Sequence, residues 1–353
     1  MALSPLAERT KLAPALTDLG GYEVPVSFGD PRVEYEAACA SAILIDVSST
    51  GKIEVSGPEA PQYLHNLSTN DIQSMPLGAG CEAFFCNVRA RALFHVRIYR
   101  LRLGDRDAMW IDVTPGYDAK LMQHLDRHLI AEQVELQNRT RDFAQMHVTG
   151  PKAAEVLSRA IGEPLPDLAL HQHMERTIAG VVVHVRRYDP LGLPGFDVVC
   201  LNTKAVAVWD ALVQAGAMPA GTQAAEWLRV EAGTPVYGID IDENRFVQEV
   251  GRTDAVSFTK GCYLGQEPIV MARDRAGFLS RYFRGLKLSA LVDAGTKLFA
   301  DAEAGLITSC VDSPRFGPIA LGYVRRGFEQ LGSRLHLAEP SGPDATVVAF
   351  PFN

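Results

Sequence analysis

Two stretches of this chain repeat one pattern of apolar and polar positions. Ile53-Glu-Val-Ser-Gly-Pro-Glu-Ala-Pro-Gln-Tyr-Leu64 and Met146-His-Val-Thr-Gly-Pro-Lys-Ala-Ala-Glu-Val-Leu157 each open with the alternation of a strand, break at Gly-Pro and continue with the spacing of an amphipathic helix. Proline suits the first position of such a helix, because the N–H it lacks would have no intrahelical acceptor there. The repeats lie 93 residues apart, which predicts two related α+β modules. Period-two runs over 82–88, 93–101 and 108–113 predict an antiparallel meander in the first module, and runs over 181–187 and 195–201 predict one in the second. A helix closes each module: 117–129 aligns Leu121, Met122, Leu125 and Leu129, and 204–215 aligns Ala205, Val208, Trp209 and Leu212.

After Leu286 the pattern changes to short strands over 306–310, 319–325, 334–338 and 346–350, separated by Gly, Pro and Ser, which predicts a small barrel. The domain boundaries that follow are 1–141 and 142–285 for the two α+β modules and 286–353 for the barrel.

At 353 residues the chain exceeds one hydrophobic core of ordinary size. Its 47% hydrophobic and 22% charged residues are those of a globular protein. A net charge of −8 without long basic runs argues against general nucleic-acid binding. No segment approaches 18 uninterrupted apolar residues and the first ten contain no continuous apolar run, so the expectation is a cytoplasmic protein without membrane attachment. Cysteines 39, 81, 86, 200, 262 and 310 are scattered, which fits reduced thiols, and no Cys-x-x-Cys occurs to suggest a metal site.

Candidate chemistry concentrates at Lys260-Gly-Cys-Tyr-Leu-Gly-Gln-Glu267. The two glycines permit a tight turn or close approach of a ligand. Pro268 fits the start of a helix through Ile269, Val270 and Met271, which would set Cys262 just before an electropositive helix end. With Lys260 two residues away, Cys262 is a candidate reactive thiol, the alternative being a small buried hydrophobe. His124 and His128 stand one helical turn apart opposite the leucines, where a solvated face is expected rather than a metal.

The octapeptide resembles the K-G-C-Y-x-G-Q-E signature of the YgfZ-type folate-binding proteins, relatives of the glycine-cleavage T-protein that act in iron–sulfur cluster assembly or repair. Glu226-Trp-Leu-Arg-Val-Glu-Ala-Gly233, Pro235-Val-Tyr-Gly-Ile-Asp-Ile-Asp-Glu243, Gly305-Leu-Ile-Thr-Ser309, Ser313-Pro314 and Ala320-Leu-Gly-Tyr-Val324 are similar to further motifs of that superfamily. The resemblance implies an α+β fold: two related ferredoxin-like, T-protein-like folate-binding modules followed by a small C-terminal β-barrel. It also implies tetrahydrofolate as bound ligand, and iron–sulfur enzymes or their assembly proteins as partners.

The superfamily carries a carboxylate that pairs with the pterin at the end of a glycine-rich segment. Here that segment reads Tyr188-Asp-Pro-Leu-Gly-Leu-Pro-Gly-Phe-Asp197, which makes Asp197 the candidate, with an exposed strand residue as the alternative. Arg229 and Tyr237 match positions near the pocket, where a guanidinium would face a folate carboxylate and a tyrosine would stack on the ligand, although Arg229 also suits a local salt bridge. Arg273, Arg275, Arg281 and Arg284 suit either a polyglutamate tail or a solvated face. The T-protein's aspartate pair falls, by alignment of Asn87-Val-Arg-Ala-Arg-Ala-Leu-Phe-His-Val96, on Phe94 and His95. Loss of that carboxylate argues against aminomethyl transfer and leaves open whether the protein is an enzyme, with His95 either an acid–base group or a structural residue. The reading is therefore tetrahydrofolate-dependent support of iron–sulfur enzymes, with a folate-dependent one-carbon transferase as its alternative.

Overall fold

The computed structural model describes residues 4–274 and 279–353, and the chain divides into two compact units. The first comprises residues up to Asn66, Asn70–Ala83 and His95–Ala225. It is built on two sheets, and each holds one copy of the sequence repeat. The five-stranded sheet runs in the order Gly80–Cys86, Ala92–Leu103, Arg106–Val113, Gly51–Ser56 and Glu135–Asn138. The six-stranded sheet runs His173–Ile178, Val181–Arg187, Gly195–Leu201, Phe143–Thr149, Ile43–Asp46 and Met218–Ala220, with only the last pair parallel.

In both repeats the strand passes through a glycine of positive φ, Gly57 at 110° or Gly150 at 129°, into the helix Ala60–Leu67 or Ala153–Ile161. A Cβ on Gly150 would lie 2.4 Å from the Ser41 carbonyl oxygen, so a larger residue fits neither the torsion nor the space. Pro58 and Pro151 stand two residues before their helices, in the turn itself rather than at the first helical position. The helices Ala153–Ile161 and Ala205–Gln214 cover the six-stranded sheet with Val156, Leu157, Val208, Trp209 and Leu212, all buried against Met146, Val148, Val183 and Val198.

The period-two runs correspond to real strands, and two of them, Val181–Arg187 and Gly195–Leu201, have the predicted bounds. The pattern did not single out the hairpin Ala15–Leu19 with Tyr22–Ser27, the helix Pro31–Ala40 or the strand Ile43–Asp46. The last is four buried residues, and so short a run has no period.

The second unit comprises Leu67–Thr69, Phe84–Phe94 and Glu226–Asn353. Its barrel is closed by six strands in the order Arg281–Leu288, Gly317–Arg325, Glu303–Ser313, Lys297–Phe299, Arg334–Leu337 and Asp344–Val348. Leu286, Leu298, Ile307, Val324, Leu335 and Val347 fill it. The octapeptide belongs to this unit, grouped with the barrel rather than with the second α+β module. Among the described residues no helix is long and apolar enough to cross a membrane.

Candidate functional site

The register of the two sheets of the first unit gathers charge at its centre. In one sheet Asp112 pairs with Arg97 on one neighbouring strand and with Lys52 on the other. In the other sheet Asp197 pairs with Arg186 on one side and His147 on the other. Cross-strand partners share a face, so each sheet lines up a carboxylate between two basic side chains.

These rows are joined. Arg186 Nη1 donates to both oxygens of Asp112 at 3.2 and 3.3 Å, while Arg97 Nη2 lies 3.2 Å from Asp112 and 3.9 Å from Asp197. Gln145 Nε2 donates to Asp197 at 2.9 Å, and His147 Nδ1 meets the other Asp197 oxygen at 2.8 Å. Aromatic rings enclose the guanidiniums: Arg97 lies 3.9 Å above Tyr188, and Arg186 lies 4.6 Å from Tyr99 and 5.4 Å from Trp110. Every charged member is buried except Arg97, whose side chain is 17% exposed.

Burial by itself would raise the Asp197 pKa, but the hydrogen bond and charge of His147, with the charges of Arg97 and Arg186, outweigh it and hold the carboxyl below its ordinary value. Lys52 donates to the Ser48 and Thr50 carbonyls, and burial lowers its ammonium to about 8 against the attraction of Asp112. Among the described residues, five buried polar atoms in this network have no hydrogen-bond partner: Arg97 Nε, Arg186 Nε, Tyr99 Oη, Gln145 Oε1 and His147 Nε2. Each such atom costs about 1–3 kcal/mol, which makes the network a place that favours a polar ligand.

Asp197 is neither the exposed strand residue nor the open pterin clasp expected of it. Both its oxygens are engaged, by Gln145 and His147. Sequence reasoning missed the rest of the network, although Arg97 and Tyr99, two and four residues beyond His95 on one strand face, were a usable signal.

In the second unit Arg229, on the helix Thr222–Ala232, has its five N–H donors engaged: with Glu226 twice, the Thr234 carbonyl, Asp240 and Ser309. A bulge between Ile307 and Ser309 turns the consecutive hydroxyls of Thr308 and Ser309 to the same Asp240 oxygen, at 2.5 and 2.7 Å. No donor of Arg229 is left for a folate carboxylate, so the salt-bridge alternative is the one observed. Tyr237 is buried, stacks on Phe94 with ring centroids 6.2 Å apart, and points its hydroxyl at the Ala92 carbonyl, so a protein ring stands where ligand stacking was expected.

The helix that follows Cys262 is Gln266–Asp274, which begins four residues past it and takes in the last two residues of the octapeptide. Pro268 is therefore its third residue rather than its first, and Cys262 is too far from the helix end for the dipole to act, since that effect fades within one turn. Cys262 is exposed. Lys260 Nζ donates to the Ser68 carbonyl at 2.7 Å and lies 4.8 Å from the Tyr263 ring. Beside the same segment, the buried Cys86 thiol donates to the Leu264 carbonyl, and burial pushes it up to about 12 against the charge of Lys260.

Arg273 pairs with Asp274 over the Phe258 ring, Arg284 donates to the Glu329 and Phe283 carbonyls, Arg281 starts a barrel strand, and Arg275 lies outside the described residues. His124 is not on a solvated face: it is buried, which lowers its pKa to about 4. In the first unit, His95 Nε2 lies 3.4 Å from Glu82 Oε2, with the side chains 14% and 6% exposed.

The family description "GCVT N-terminal domain" matches residues 8–260. An aminomethyltransferase of Rubrobacter xylanophilus is 31% identical over 98% of this chain and 92% of its own length. One of Thermotoga maritima is 30% identical over 100% and 98%. Among solved structures, the glycine cleavage system aminomethyltransferase T from Bartonella henselae superimposes with a TM-score of 0.89 at 24% identity, covering 100% of this chain and 98% of that one. The α+β architecture with its closed C-terminal barrel is thus that of the T-protein fold.

Proposed function

We propose, because the chain belongs to the GCVT N-terminal domain family, that it is a tetrahydrofolate-dependent one-carbon transferase. Relatives named aminomethyltransferase, similar along nearly their whole length, support this reading over support of iron–sulfur enzymes. The observation that carries it is the network around Asp197. The His147 tautomer with its proton on Nδ1, directed at Asp197, offers Nε2 as an acceptor, and Gln145, donating through its nitrogen, presents Oε1 as a second one. A pterin carries adjacent N–H and amino donors that need two such acceptors, while Tyr99 Oη and the guanidinium Nε atoms suit its ring oxygen and nitrogens. Asp197 acts through the acceptors it orients, and Arg97, the outermost member, marks the side of entry. Bound tetrahydrofolate supplies the amine nitrogens that receive the one-carbon unit.

The test is calorimetry with tetrahydrofolate. Gln145→Leu removes one acceptor and should weaken binding about 5- to 150-fold. Equal affinity for both proteins, each shown folded by its melting curve, removes the network from the site.

A second reading rests on the exposure of Cys262 within its octapeptide. The thiol would serve iron–sulfur enzymes as a ligand or nucleophile, with Lys260 beside it. Cys262→Ala should then bind folate normally yet fail to restore iron–sulfur enzyme activity in a host lacking its own copy, and full restoration refutes the role.

A further inference from the structure

The partnerless atoms of the network differ in kind, and the kinds are sorted by strand. Gln145 and His147 alternate on one face of Phe143–Thr149, and both turn to Asp197. An ionised carboxylate only accepts hydrogen bonds, so Asp197 takes the Gln145 amide by its nitrogen and the His147 ring by a protonated Nδ1. What remains is Gln145 Oε1 and, in the tautomer whose one proton is on Nδ1, His147 Nε2, both acceptors. Gly195 has no side chain to cover the second of these, where a Cβ would lie 2.9 Å from Nε2. Donors stand on the other strands: Arg97 Nε and Tyr99 Oη on one face of Ala92–Leu103, and Arg186 Nε on Val181–Arg187. The guanidinium nitrogens can only donate, and burial raises the Tyr99 phenol so that it keeps its proton.

Every carboxylate oxygen of the network is already engaged. Asp112 Oδ1 holds Trp110 Nε1 at 2.9 Å and Arg186 Nη1 at 3.2 Å, its Oδ2 holds Arg97 Nη2 at 3.2 Å, and the two Asp197 oxygens hold Gln145 and His147. Three basic side chains, Lys52, Arg97 and Arg186, stand against these two carboxylates, so the network has no surplus negative charge to attract a cation.

We infer that the network selects the uncharged 2-amino-4-oxo edge of a pteridine and rejects the 2,4-diamino edge, a selectivity that rests on the one-carbon transferase reading and adds to it the form of ring the site takes. The first edge offers two adjacent donors, the amino group and the ring N–H, beside one acceptor, the oxo group. These match the two acceptors and the group of donors in the network. The second edge has a ring nitrogen that accepts, set between two amino groups that donate. In the same pose its ring nitrogen meets an acceptor and its second amino group meets guanidinium donors, so two buried contacts turn from bonds into mismatches. Turned over, the diamino ring offers adjacent donors only as the ring-protonated cation, which a free carboxylate would draw in and this network does not.

The experiment is calorimetry at pH 7 on the whole protein with a matched pair of probes, tetrahydrofolate and its 4-amino-4-deoxy analogue, which differ only at this edge. The analogue should bind at least about 25-fold more weakly, two unpaired groups at about fivefold or more each. Gln145→Glu places a carboxylate among the acceptors, and Arg97→Met removes a donor and a positive charge from the most exposed member of the network. In each variant the ratio of the two dissociation constants should fall at least about fivefold. Melting curves establish which variants are folded, and either one carries the comparison. A wild type that binds the analogue less than about tenfold more weakly than tetrahydrofolate, or a preference that the folded variants keep in full, would overturn the inference and leave folate recognition standing. Absence of tetrahydrofolate binding by the wild type would bring down the transferase reading itself, and this inference with it.

Discussion

Replacing Asp197 by Asn changes almost no volume and removes one buried charge, so its effect isolates what that charge does. The Asn oxygen can still accept from His147, but the Asn amide then faces the Gln145 amide, donor against donor, in place of the 2.9 Å bond. Arg97 loses its partner at 3.9 Å, though it and Arg186 both keep Asp112 at 3.2 Å. Removing one member of a buried ion pair costs about 3–5 kcal/mol, and the retained Asp112 contacts place this case near the lower end, about 3 kcal/mol. For a unit of roughly two hundred residues that corresponds to a fall in melting temperature of about 6–12 °C. Because the folded pKa of Asp197 is depressed, its stabilisation is complete above the unfolded value of 3.8 and is lost as pH falls through the folded pKa. The gap between wild type and Asp197→Asn should therefore be flat between about pH 5 and 7 and close only in stronger acid. Urea unfolding followed by tryptophan fluorescence suits the purpose, since Trp110 donates to Asp112 inside the network. A gap below about 1 kcal/mol at pH 7, or one that widens towards pH 3, would refute the assignment of a stabilising charge to Asp197.

Lys52, with its pKa lowered from 10.5 to about 8, binds more protons in the unfolded than in the folded chain between those values, so stability relative to Lys52→Met should rise as pH goes from 8 to 10; paired denaturation curves check it, and an unchanged difference counts against a buried ammonium. Gly150→Ala combines a φ of 129° with a contact at 2.4 Å and should destabilise by more than about 1 kcal/mol, well beyond Gly162→Ala, where φ is 87° but nothing lies within 4 Å; thermal melts that rank them the other way would contradict the packing argument. Iodoacetamide at pH 7 should label the exposed Cys39 and Cys262 of the folded protein well before Cys86 and Cys200, both buried and raised to about 12; mass spectrometry showing early labelling of Cys86 would mean that the segment over it opens readily.

Much of the fold was legible in the chain. The Gly-Pro repeat identified both strand–turn–helix units, and the alternation of Val181–Arg187 and Gly195–Leu201 marked those strands to the residue, because burial on one face of a sheet writes itself into a period of two. The barrel was legible for the same reason. Motif matching located Arg229, Tyr237 and Asp197, and for Arg229 the local salt bridge was one of its two readings, but it did not give the full set of their partners. It carried no information on what else would reach them: Asp240 and Ser309 arrive at Arg229 from 11 and 80 residues away, and Phe94 reaches Tyr237 from a distant part of the chain.

By itself, then, the sequence determined the two α+β modules, the barrel and the T-protein superfamily, since each depends on local periodicity or on contiguous motifs. Only the tertiary structure decided the site. Lys52, Arg97, Asp112, His147, Arg186 and Asp197 come from six strands of two sheets, and what joins them is strand register, a property of pairings between distant segments. In the chain five of them are single polar residues between apolar or glycine neighbours, and Arg186 is followed by Arg187. Folding removes them together from water, and there a charge is stable only beside its counter-charge, which turns six scattered residues into one network.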